Sequence, residues 1–147
     1  MVHISEKFLA QIKQEAEKAY PNECCGFIFG SINGGDKYAE NILTCTNSTA
    51  DSEQYHRFVI TPEDMLKAEK LARSIKADII GFYHSHPDCA AVPSEYDRSH
   101  ALPVYSYIIV SVINGRAEEC TSWELDKGYD YKKFQSEYIT VRKGDVK

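Results

Sequence analysis

The chain reads as an α/β protein, a single domain over residues 1–147 with a mixed β-sheet flanked by helices. Three observations predict this. Amphipathic helical stretches alternate with short β-branched and aromatic runs; the 147 residues match the size of one domain; and no repeat, linker or low-complexity tract divides the chain. The predicted order is helix, two or three strands, helix, strand, short helix and strand pair, the pattern of a mixed sheet with helices packed on it.

The first helix is predicted from about Ser5 to Lys18, because Phe8, Leu9, Ile12, Ala16 and Ala19 share one helical face, with Ser5 as N-cap and Pro21 as stop. The apolar run Cys24–Gly30 reads as a strand buried on both faces. It turns through Asn33-Gly34-Gly35-Asp36 into a second strand, Lys37–Thr46. A phosphate-cradling loop is the other reading of these glycines, but no Lys-Ser/Thr pair follows them. Asn47–Gln54 reads as a mobile loop and Tyr55–Ile60 as a strand. Thr61-Pro62-Glu63-Asp64 opens a helix to about Lys76, carrying Met65, Leu66, Ala68, Leu71, Ala72 and Ile75 inward. Ala77–His84 is a strand stopped by Pro87, and a short helical turn follows Pro93. Val104–Ile113 and Arg116–Leu125 form a hairpin around Asn114-Gly115. One last strand or helix, Tyr129–Val141, closes the domain.

Composition excludes several functions. Apolar residues are 43% and charged residues 27% of the chain, and no apolar run nears the ~20 residues of a membrane helix. The net charge is −5 without a basic block beyond pairs such as Lys132-Lys133, which argues against nucleic acid. The first residues lack the order of a signal peptide, so a cytoplasmic protein is expected, and Asn47-Ser48-Thr49 is then no glycosylation site. Five cysteines, Cys24, Cys25, Cys45, Cys89 and Cys120, show no framework spacing and read as reduced, packed thiols. Ten tyrosines, dense from Tyr105 to Tyr138, read as packing for the sheet and a partner surface.

The stretch GFYHSHPDCAAVPSEYDRSHA, Gly81–Ala101, carries the chemistry. Residues two apart on a strand share a face, so His84 and His86 present two imidazoles to one point while Ser85 faces away. Ser94 and Asp97, three apart on a helical turn, also share a face. Two imidazoles and a carboxylate suit zinc with a fourth position left to water, the pattern of catalytic sites. By itself a His-x-His pair at a strand end is more often a solvated surface or a satisfied hydrogen-bonding pair. His3 and His56 match no motif and read as surface or hydrogen-bonded groups. His100, three past Asp97, reads as structural.

Taken together, His84, His86, Pro87, Ser94 and Asp97, with Glu23 in PNECCGFIFG far upstream, resemble the signature of the JAMM (MPN-plus, Mov34/PAD-1 type) zinc metalloproteases. The resemblance runs from the first helix to about Leu125 and implies the JAMM/MPN fold, with a cytidine-deaminase-like layout. It implies one Zn²⁺ per chain on His84, His86 and Asp97, Glu23 as general base that returns its proton to the leaving amine, and Ser94 as oxyanion donor. Among the relatives, the compact bacterial members with this stretch resemble hydrolases of sulfur-carrier proteins, cutting after the carrier's C-terminal glycine. The expected partner is therefore the tail of a ubiquitin-like or sulfur-carrier protein. The short loop Asp88–Pro93 and the absence of large insertions argue against polyubiquitin.

Three other functions fit these residues less well. A zinc deaminase wants His-x-Glu and Pro-Cys-x-x-Cys, whereas here the pair is His-x-His and the cysteines are adjacent. A cysteine hydrolase through Cys25 or Cys89 lacks a nucleophile context. A non-catalytic MPN-type scaffold would have no use for a full ligand set.

Overall fold

The computed structural model describes residues 1–45, 60–126 and 133–143. They form β1 (Val2–Ser5), α1 (Glu6–Ala19), β2 (Cys25–Asn33), β3 (Asp36–Cys45), α2 (Pro62–Ser74), β4 (Asp78–Pro87), α3 (Glu95–His100), β5 (Ser106–Ile113), β6 (Arg116–Leu125), β7 (Phe134–Glu137) and β8 (Ile139–Arg142). The predicted loop Asn47–Gln54, nearly all of the predicted strand Tyr55–Ile60, and His56 lie outside the described residues. No helix among the described residues is long and apolar enough to cross a membrane.

Local chemistry sets both long helices. The Ser5 Oγ accepts the Phe8 amide at 3.2 Å and so caps α1, whose Ile12 and Ala16 are buried. At α2 the Thr61 hydroxyl accepts the Asp64 amide at 3.1 Å while the Asp64 carboxylate accepts the Thr61 amide at 3.0 Å, a reciprocal capping box ahead of Pro62. Ala68 and Ala72 pack inward, but Leu66 and Ile75, expected to do the same, are 54% and 38% exposed. Leu66 stands about 100° around the helix from Met65, and Ile75 is the C-cap beyond the last helical residue.

The described strands form one mixed sheet in the order β7-β6-β5-β4-β2-β3-β1-β8. Its centre is β4, antiparallel to β2 on one side and parallel to β5 on the other. The hairpin β2–β3 turns on Gly34 and Gly35 at φ 63° and 87°, a two-residue turn that needs left-handed backbone. Asn114 and Gly115 play the same part between β5 and β6.

Side chains alternate across this sheet into two cores. Ile28, Ile80, Tyr83, Ile108 and Val110 pack under α1, and Phe27, Phe29, Phe82 and Tyr107 pack under α2. At ~25 cal/mol per Å² of apolar surface, each large buried side chain contributes about 1.5–3 kcal/mol, so both cores are substantial.

One strand was not foreseen, Val2–Ser5, parallel to β3 and β8, and three expectations are corrected. The strand holding the histidines does not stop before Pro87 but includes it, paired with Val112. The Asp88 amide bonds the Val112 carbonyl at 2.6 Å, so the proline nitrogen points to the other side, where β2 has already ended and no ladder bond is lost. The strand β5 starts at Ser106, because Val104 is 68% exposed in left-handed backbone, φ 71°. Finally, the described part of the predicted last element is two strands, β7 and β8, separated by Tyr138 alone.

Those two strands occupy opposite ends of the strand order although one residue separates them, so the sheet curls until its edges approach. The Val2 amide bonds the Tyr138 carbonyl at 2.9 Å across the junction. Inside the curl, Lys37 of β3 donates to the Ser106 hydroxyl at 2.8 Å and to Glu124 at 3.2 Å, while Ser106 and Ser122 both donate to Glu137 at 2.5 and 2.8 Å. Lys37 is only 5% exposed, and these partners hold its buried charge.

Candidate metal centre

Alternation along β4 puts Phe82, His84 and His86 on the α2 side of the sheet and Tyr83 and Ser85 on the α1 side. The loop after Pro87 returns to α3, whose N-cap is Ser94. The Ser94 Oγ accepts the Asp97 amide at 3.0 Å, and Asp97 Oδ2 accepts the Ser94 amide at 2.9 Å. This capping box aims Asp97 back across the strand end. Its Oδ2 lies 3.0 Å from His86 Nε2 and 3.2 Å from His84 Nε2, and the two Nε2 atoms are 3.2 Å apart.

The three sequence-predicted ligands therefore converge, and all are buried. A tetrahedral zinc with bonds of about 2.0 Å spans ligand atoms about 3.3 Å apart, so this triangle fits the ion's geometry as well as its preference for N and O donors. The His86 Nδ1 lies 3.0 Å from the Ala90 carbonyl. That contact places a proton on Nδ1, so Nε2 presents its lone pair to a bound ion and, without one, can carry a proton toward Asp97. Ala90, not evident in the sequence motif, thus fixes a tautomer.

Glu23 arrives from the neighbouring strand. In the β2–β4 ladder Cys25 faces His84, and continuing that register by two residues sets Glu23 opposite His86 on the same face. Beyond Cys25 the ladder changes partner type: the Ser85 amide still bonds the Cys24 carbonyl at 3.2 Å, but the Cys24 amide bonds the Ser85 hydroxyl at 2.8 Å. Ser85 is wholly buried, so the serine between the two histidines clamps the backbone beside Glu23. The motif spacing showed only that it faces away.

The electrostatics follow from burial and from charge. Burial pushes the Glu23 carboxyl up to about 8, with His86 opposing and Asp97 adding to the shift. Burial would also raise Asp97, but the attraction of His84 and the hydrogen bonds from His84, His86 and the Ser94 amide hold it far below the carboxylate range. Desolvation keeps His84 below its ordinary value against the pull of Asp97. At His86 desolvation acts the same way and is outweighed by the bonds to Asp97 and Ala90, so its pKa is raised.

Two concavities flank the donors. One is a cavity of ≈260 Å³, lined by His84 and Asp97 together with Ile60, Met65, Phe82, Tyr96, His100, Leu102 and Tyr107, and mostly apolar. The other lies along Ser94, Arg98, Trp123 and Phe134. His100 stacks on Tyr96 at 4.1 Å, with its Nδ1 2.9 Å from the Tyr96 carbonyl, and it does not join the donors. His3 stacks on Tyr38 and bonds Asp36, remote from the donors. No cysteine joins the group among the described residues, which removes the ligand set a deaminase uses.

A family model for prokaryotic homologues of the JAB domain matches residues 5–126. A Haloferax volcanii protein named desampylase is 30% identical over 107 residues, covering 72% of this chain and 74% of that one. A Pyrococcus furiosus desampylase is 36% identical over 75 residues, 51% and 49% of the two chains. Two solution structures share the fold: a Desulfitobacterium hafniense protein, TM-score 0.84, 27% identical over 98% of this chain and 94% of that one, and a Salinibacter ruber protein, TM-score 0.73, 33% identical over 97% and 92%. With a match across most of its length and the strand and helix pattern that match requires, this chain belongs to the prokaryotic JAB-domain homologues.

Proposed function

We propose that the chain is a zinc-dependent peptidase or isopeptidase that hydrolyses the amide bond after the C-terminal glycine of a ubiquitin-like or sulfur-carrier protein. The observation that carries this reading is the convergence of His84 Nε2, His86 Nε2 and Asp97 Oδ2 at 3.0–3.2 Å, with the buried Glu23 carboxylate, two residues ahead of β2, close to them. The two relatives named desampylase support a hydrolase over a scaffold.

In this reading His84, His86 and Asp97 hold the ion. Zinc held there supplies a Lewis acid that polarises a carbonyl and lowers the pKa of water toward about 7. The chain's own groups then divide the work. Glu23 takes the proton of the attacking water and carries it to the departing amine, a role suited to a buried carboxyl whose hold on a proton burial strengthens. The Ser94 oxygen accepts the Asp97 amide and still carries its own O–H, which can be turned toward the oxyanion. His86, fixed by Ala90, and Asp97, fixed by its own helix cap, enter the reaction already oriented.

The test is incubation with sulfur-carrier and ubiquitin-like proteins extended past Gly-Gly, read by mass spectrometry beside a Glu23→Gln control. Removal of the extension by the wild type alone is expected. If every extension survives in the presence of bound zinc, the carrier-tail reading fails.

A further inference from the structure

The hairpin β2–β3 places a second reactive pair beside this site. Cys25 of β2 lies directly opposite Cys45 of β3, and on its other side directly opposite His84 of β4. Facing residues of an antiparallel ladder have Cα atoms about 4.5–5.5 Å apart, inside the window of about 4.4–6.8 Å that a disulfide spans. Their side chains share a sheet face, and each thiol is the strongest influence on the other's acidity. Cys25 is wholly buried, whereas Cys45 is partly exposed, so an oxidant reaches the pair from the Cys45 side. That sulfur is also the more acidic one: the bond from Cys25 holds the Cys45 thiol below its ordinary range, helped by the nearby Lys67 ammonium. The competing thiols are placed differently. Cys24 packs on the opposite face, Cys89 is in the loop after β4, and Cys120 is on β6.

We propose that Cys25 and Cys45 form a redox dithiol that closes to a disulfide under peroxide and switches hydrolysis off by displacing Glu23. The Cys45 thiolate attacks one peroxide oxygen, giving a sulfenic acid and one water after protonation. The Cys25 thiol then displaces the second water from that sulfur. Two thiols lose two protons and two electrons, and the peroxide is reduced to two waters. Glu23 lies two residues from Cys25 on the same face, so drawing Cys25 toward β3 moves the carboxylate away from His86. The effect on hydrolysis rests on the function proposed above; formation of the bridge does not.

The experiment treats the whole protein with hydrogen peroxide, maps disulfides by fragment mass, and measures cleavage of an extended carrier in parallel. A Cys25–Cys45 bridge is expected in the wild type and in Cys24→Ser, reversed by dithiothreitol and absent in Cys45→Ser. Cleavage is expected to fall about tenfold or more on bridging, and Cys45→Ser should stay active under peroxide. If both thiols remain open to alkylation, or the bridge joins any other pair, the dithiol is overturned; a bridged protein of undiminished activity overturns the switch. Wild-type protein inactive on every carrier before oxidation counts against the function instead, since the bridge is read by mass alone.

Discussion

Two buried polar clusters sit in this one sheet and differ in kind. Around Lys37, each charge meets a complementary partner: the ammonium contacts Ser106 and Glu124, and Glu137 receives two serine hydroxyls. Around Asp97, a carboxylate oxygen and two imidazole nitrogens crowd together at 3.0–3.2 Å, with a second carboxylate, Glu23, buried nearby. The first cluster is complete as a structural tie. The second concentrates donors of one kind, which is stable in a low-dielectric interior only with protons or a cation among them.

The sharpest break in this comparison is at Glu23. Glu23→Gln should lower turnover by about 10²–10⁴-fold while zinc content stays near one per chain by metal analysis. Next, His84→Ala should remove most of the bound zinc, whereas Lys37→Met should leave it intact; equal zinc loss in both would erase the distinction. Ser94→Gly keeps most of the helix cap and deletes the hydroxyl, so a loss of about 10²–10³-fold in kcat with a melting temperature nearly unchanged is expected. Lys37→Met should cost about 1–3 kcal/mol of stability, read as a lowered Tm with metal affinity unaffected.

The smallest expected effect is a pH dependence in metal-free protein. The folded Glu23 carboxyl titrates near 8 and the unfolded one near 4.5. Below 4.5 both states are protonated and no penalty exists. Between those values the unfolded chain gives up a proton the folded one keeps, so stability falls as pH rises, and above about 8 the whole loss is present. Glu23→Gln should therefore raise Tm by a few degrees over wild type at pH above 8 and not at pH 4. Parallel curves at both values would show that Glu23 is solvated.

Much of this was legible in the chain because the signals are local. The two-residue spacing of His84 and His86 can only mean one strand face, and Ser94 with Asp97 at three is at once a capping box and an aimed carboxylate. The Glu23 position was legible only by resemblance, since its approach depends on a β2–β4 register that sets it opposite His86, sixty-three residues on. What stayed hidden depends on distant partners. Val2–Ser5 and Ile139–Arg142 are four-residue strands that pair in parallel with each other, a contact no local pattern encodes. Leu66 and Ile75 carry apolar side chains that the helix happens to turn outward. The clamp from Ser85 to Cys24 needs the ladder to change acceptor at one residue, which composition does not announce.

The shared oxygen of Asp97 has a consequence for how an ion is captured. Because the same atom closes the helix cap and faces both imidazoles, the helix start and the ligand triangle form one cooperative unit. Its rotational freedom is lost when the domain folds rather than when the ion arrives. Capture should then proceed with little rearrangement and a small heat-capacity change in calorimetry, and fraying α3 should weaken ion affinity even where every ligand side chain is kept.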